Sequence, residues 1–147
     1  MSVDGAYKRD ENFVPITNLG FQESKTITYV AGTTGAIGTT TLFNVTGTVA
    51  CNVYAICDTD LTGTGTIEVG VAGSTAALCS QQTVTAIDQH EVWHNGNLAI
   101  AQNVALNQHI VDQNIIQTIA TNTVTGGVLR FYCMWTPISA DGNVTAA

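Results

Sequence analysis

Val128 to Pro137 reads VLRFYCMWTP, and its alternation decides the fold class. Leu129, Phe131, Cys133 and Trp135 share one face of an extended strand, while Val128, Arg130, Tyr132 and Met134 share the other. Gly126-Gly127 opens the run and Pro137 stops it. Upstream, His109 to Ala120 reads as a longer strand carrying Val111, Ile115, Ile116 and Ile119, although a helix is conceivable from those residues alone. Thr26–Ala31, Thr40–Thr46, Ala50–Asp58 and Thr66–Val71 follow the same β grammar, in which Thr, Val and Ile carry strands and Gly-rich clusters carry turns. Thr66–Val71 reads as half-buried, with Ile67, Val69 and Val71 on one side and Thr66, Glu68 and Gly70 on the other. Thr75–Ser80 is a short apolar piece, and Glu91–His94 and Leu98–Ala101 flank the turn signal Asn95-Gly96. About eight short strands without a supported helix predict an all-β, antiparallel β-sandwich of jelly-roll or Greek-key type over residues 26–147.

Residues 1–25 differ from this body. They hold seven of the chain's charged residues, one of its two prolines and no clear period. They read as an extended N-terminal arm whose Tyr7, Phe13, Val14, Ile16, Leu19 and Phe21 order against a neighbouring subunit. A frayed terminus or a first edge strand of the same domain is the plainer alternative.

Among 147 residues there are four Lys or Arg and eleven Asp or Glu, a net charge of −7. Charged residues are 10% of the chain, where an ordinary domain has roughly 25%. A surface built mostly from Thr, Asn, Gln, Gly and Ala keeps little charge between neighbours, so the expectation is a part of an assembly. From Thr26 onward Arg130 is the sole Lys or Arg, which opposes nucleic-acid binding. The start shows no apolar signal region and no run of 18 apolar residues occurs, so no membrane is expected as a partner and synthesis inside a cell is. In that compartment Cys51, Cys57, Cys79 and Cys133 are expected to be reduced and buried. Cys51 and Cys57 lie on one face of one strand, about 20 Å apart, and cannot pair with each other. The sequons at Asn44 and Asn143 carry no meaning without secretion.

His90-Glu91-Val92-Trp93-His94 matches the zinc-protease string HExxH. That chemistry needs a helix, where i and i+4 bring both imidazoles to one face. On a strand the two are about 13 Å apart, too far for one metal. No Glu follows Glu91, and Asn97 and Ile100 stand where the extended motif needs Gly and His. His109 or Asp112 would be the remaining ligands, with nothing in the spacing to recommend them. The expectation is therefore no catalytic residue, no metal and no cofactor, with Trp93 packed at an interface or core edge and the histidines bonded to loop backbone. Asp58-Thr-Asp60-Leu-Thr-Gly63 places three calcium-loop positions correctly, but Val69 stands where the bidentate Glu belongs and Glu68 is one residue early. A solvated hairpin tip is the expected structure there.

The run ICDTDLTGTGTIEVGVAGSTAAL from Ile56 to Leu78, the string EVWH of Glu91–His94 and the closing RFYCMWTP of Arg130–Pro137 resemble the head decoration, or cement, proteins of tailed bacteriophages. The likeness runs from Val53 to Trp135 and leaves the N-terminal arm unmatched. It implies a non-enzymatic β-sandwich, commonly a homotrimer, that sits on the outer surface of a mature head and ties capsomers together. Its partner would be the major capsid protein and its location the virion, after assembly in the host cytoplasm. On that reading Phe13, Phe21, Trp93 and Trp135 are expected in interfaces or at core edges, because aromatics dominate interface energetics. The second reading is a carbohydrate-binding or adhesion module of a tail or fibre, which requires Trp93, Tyr54 and the Asp58–Asp60 segment in one concave patch.

Overall fold

A computed structural model describes residues 3–4, 7–8, 20–94 and 108–147. The chain is all-β, and its body is two antiparallel sheets packed face to face. Two short strands, β1 (Val3–Asp4) and β2 (Tyr7–Lys8), pair with each other near the start. The body then runs β3 (Phe21–Thr28), β4 (Gly38–Thr46), β5 (Val49–Gly63), β6 (Thr66–Val71), β7 (Ser74–Thr83), a single 3-10 turn at Val84–Ala86, β8 (Val92–His94), β9 (His109–Val111), β10 (Ile115–Ala120), β11 (Val124–Pro137) and β12 (Asn143–Ala146). One sheet has the order β3-β11-β5-β8, with β9 also on β5, and the other β12-β4-β10-β6-β7.

The segment VLRFYCMWTP lies at the heart of the first sheet, paired with β3 on one side and β5 on the other. Its alternation is the observed one: Leu129, Phe131, Cys133 and Trp135 are buried, while Val128, Arg130 and Tyr132 are half-buried and Met134 exposed. β5 answers with Cys51, Val53, Ala55 and Cys57 inward. The second sheet closes the core with Leu42, Phe43, Ile67, Val69, Ile115 and Ile119. Burying each large apolar side chain contributes about 1.5–3 kcal/mol, which makes this two-sided contact the main stabilising term.

Several boundaries differ from the sequence reading. The first strand of the body begins at Phe21, so residues 21–25 are sheet and the expected division at residue 25 falls inside β3. The cause is pairing: Phe21 to Lys25 lie opposite Trp135 to Phe131, and Lys25 Nζ donates to the carbonyls of Thr41 (3.0 Å) and Ala147 (2.6 Å). His109–Ala120 is not one strand. Asp112, Gln113 and Asn114 form a corner between the sheets, where Asn114 Oδ1 accepts from the Val45 amide at 2.9 Å. Thr75–Ser80 is the middle of the ten-residue β7.

The Asp58–Gly65 segment is not a hairpin tip, because β5 runs to Gly63 and β6 lies in the opposite sheet. Nor is β6 half-buried. β7 bends over it so that the Ser74 carbonyl occupies the space a Cβ on Gly70 would need, and Gln81 Nε2 reaches the Glu68 carboxylate at 3.2 Å. Leu98–Ala101 and the Asn95-Gly96 turn lie outside the described residues.

Candidate functional site

The outer face of the first sheet carries two of the chain's four tyrosines, Tyr54 and Tyr132. Strand alternation sends Tyr54, Ile56 and Asp58 of β5 outward, together with Arg130, Tyr132 and Met134 of β11 and Val92 and His94 of β8. Register then sets them in rows. Tyr54 lies between Tyr132 and His94, and Ile56 between Arg130 and Val92. The Tyr54 and Tyr132 rings stack at 5.1 Å with an interplanar angle of 17°, and the Arg130 guanidinium sits 5.8 Å from the Tyr132 ring centre. Arg130 Nη2 donates to Asp58 Oδ1 at 2.6 Å, a diagonal cross-strand ion pair. Val92 is 43% and Met134 44% exposed, so the rows carry apolar surface as well.

The electrostatics follow from these contacts. The Asp58 carboxylate, first by hydrogen bond and then by charge, holds the Arg130 guanidinium above its ordinary pKa. Partial burial and the neighbouring Tyr132 push Tyr54 up. Arg130, the one Lys or Arg of β5, β8 and β11, is thereby compensated by Asp58.

Of the four aromatics expected in interfaces or at core edges, Phe21, Trp93 and Trp135 lie among the described residues. Trp93 and Trp135 point inward and belong to the hydrophobic core, 6% and 7% exposed. Trp93 meets Phe131 edge-on at 6.4 Å, and Trp135 stacks on the half-buried Phe21 at 4.6 Å. Each indole Nε1 is buried without a hydrogen-bond partner. Phe13 lies outside the described residues. The patch required by the carbohydrate reading is not assembled, because Trp93 faces the core while Tyr54 and Asp58 face out from the same sheet.

The HExxH string has no helix. His90 adopts left-handed backbone, φ 71°, within a turn, and Val92–His94 is strand β8. The His90 amide donates to the Cys57 carbonyl at 2.8 Å, the Glu91 carbonyl accepts from the Cys57 amide at 3.0 Å, and Glu91 Oε2 accepts from the Asp88 amide at 3.1 Å. Asp60 Oδ1 accepts from the Gln89 amide at 2.6 Å, so the acidic segment pins this turn. Among the described residues no group of three or more His, Cys, Asp or Glu side chains could hold a metal ion.

The cysteines are free and buried. Cys51 and Cys133, diagonal neighbours on β5 and β11, share a thiol hydrogen bond that, with burial, raises Cys133. Among the described residues no helix is long and apolar enough to cross a membrane.

Sequence reasoning placed Tyr132 and Arg130 on the outer face of their strand but did not bring them to Tyr54 and Asp58. The signal was the shared parity of 54, 56 and 58 with 130, 132 and 134. Turning parity into neighbours requires the β5–β11 register, and bulges between Val124 and Leu129 shift it. Compared with known proteins, the chain matches no family model, no curated protein and no solved structure.

Proposed function

We propose that the chain is a decoration, or cement, protein of a bacteriophage head, a non-enzymatic homotrimer that binds the major capsid protein on the outside of the mature shell. The observation that carries this reading is the combination of a two-sheet body with 10% charged residues and an outer sheet face whose Arg130 is paired with Asp58. Such a surface suits close packing against other protein. The strand order adds support. Taking β3 to β11 as eight successive positions, with β8 and β9 sharing one and β12 added at the edge of the second sheet, the sheets run 1-8-3-6 and 2-7-4-5, an order that supports a jelly-roll reading. Jelly rolls serve in capsids and in lectins, so this order is support by fold analogy.

DNA packaging loads a thin shell from inside, and a subunit that binds the expanded lattice alone stabilises that state by mass action. Quantitative mass spectrometry of purified virions tests the reading. The chain is expected at a fixed copy number per capsid protein and is expected to be missing from unexpanded precursor shells. Its absence from virions would overturn the proposal.

A further inference from the structure

Oxidative cross-linking within a folded chain needs two reactive side chains that already touch and that an oxidant can reach. The four cysteines fail the second condition, since each is free but buried. Phe21 with Trp135 and Trp93 with Phe131 each pair a phenyl ring with an indole, and both indoles are buried. Tyr29 is buried as well, with its hydroxyl committed to Gln117. Tyr54 and Tyr132 instead bring two phenols together. They stand directly opposite each other on β5 and β11, on the half-exposed outer face of the sheet, with rings stacked at 5.1 Å and 17°. Cβ atoms at opposite cross-strand positions are about 4.5–5.5 Å apart, so the backbone keeps each ring within reach of the other.

We infer that Tyr54 and Tyr132 form a site of oxidative coupling, at which a one-electron oxidant joins the two rings into a dityrosine. Each phenol gives up one electron and its hydroxyl proton to become a phenoxyl radical. The two radicals form a carbon–carbon bond ortho to both oxygens, and the hydrogen on each newly bonded carbon moves to its oxygen, which restores both aromatic rings and both hydroxyls. The chain loses two hydrogen atoms in all. Hydrogen peroxide, acting through a haem peroxidase, takes the two electrons and two protons and leaves as water. Holding the rings in contact makes the coupling unimolecular, which favours this link over one between chains. The product ties together the two central strands of the sheet and, like any cross-link that closes a long loop, restricts the unfolded chain. This site goes beyond the decoration reading and does not rest on it.

The test treats the folded full-length protein with a haem peroxidase and a limiting amount of hydrogen peroxide. Dityrosine fluorescence, intact mass under denaturing conditions and the cross-linked peptides after digestion are then read. The expected product is a single chain lighter by two hydrogens, with Tyr54 joined to Tyr132, in a yield that holds as the protein is diluted. Tyr54→Phe and Tyr132→Phe should each abolish it, whereas Tyr7→Phe should leave it intact. Circular dichroism establishes that every variant is folded.

The linked wild-type chain should also unfold at a higher urea concentration than Tyr54→Phe treated in the same way, a comparison that removes the effect of oxidising the exposed Met134. Absence of a Tyr54–Tyr132 link, or a yield that falls on dilution, overturns the inference. So does a link that lowers the urea midpoint, because it would then form only in an opened chain.

Discussion

Tyr29 and Gln117 form a buried polar pair between the sheets. The Tyr29 hydroxyl donates to Gln117 Oε1 at 2.7 Å, and Gln117 Nε2 is buried with no partner. Removing one member leaves the other unsatisfied, whereas removing both leaves an apolar contact of similar shape. Tyr29→Phe and Gln117→Leu are each expected to cost about 1–2 kcal/mol, and the double variant less than their sum. Urea unfolding of the three variants reads this out directly. A second consequence concerns alkaline pH. Burial pushes the Cys79 thiol from its ordinary 9.0 up to about 12, and it also raises Tyr29. The folded state therefore holds the Cys79 proton more tightly than the unfolded chain does. Its contribution is fully present below pH 9 and is lost as pH rises toward about 12. The urea midpoint should fall between pH 9 and 11, with a shallower slope in Cys79→Ala.

At the scale of elements, β11 is where pattern and structure agree most fully, and the reason is its position. It lies between two strands in its own sheet and beneath a second sheet, so one face must be apolar and the other tolerates Arg130, Tyr132 and Met134. Thr66–Val71 was legible in its bounds but not in its burial, because Gly70 and the bend of β7 are a tertiary event that period 2 does not encode. The break at Asp112–Asn114 was missed for a related reason: a strand changing sheets keeps its propensity on both sides of the corner. The tyrosine face was half legible, since alternation gave the parity and pairing supplied the neighbours.

The bulged start of β11 carries its own test. Gly127 has φ 107°, and a Cβ there would lie 2.5 Å from the Asp60 carbonyl oxygen and 2.7 Å from Leu61 Cδ2. Gly127→Ala is expected to cost about 2 kcal/mol or more, seen as a lowered urea midpoint. A neutral result would mean that β5 and β11 approach less closely at this bulge.

For the whole molecule, the paired charges of Arg130 and Asp58 on the tyrosine face and the sparse charge of the chain point the same way as the resemblance to head decoration proteins. A protein at a hundred times its dissociation constant stabilises the state it binds by about 2.7 kcal/mol per site, and a shell repeats the site many times. Expanded heads saturated with the chain should therefore resist heat to a higher temperature than bare ones, as read by release of packaged DNA. The most direct measurement is co-sedimentation of the purified chain with expanded heads and with unexpanded precursor shells of the same phage. Saturable binding to expanded heads, with none to precursors, is the expected result. Equal binding to both, or to neither, would contradict a decoration role.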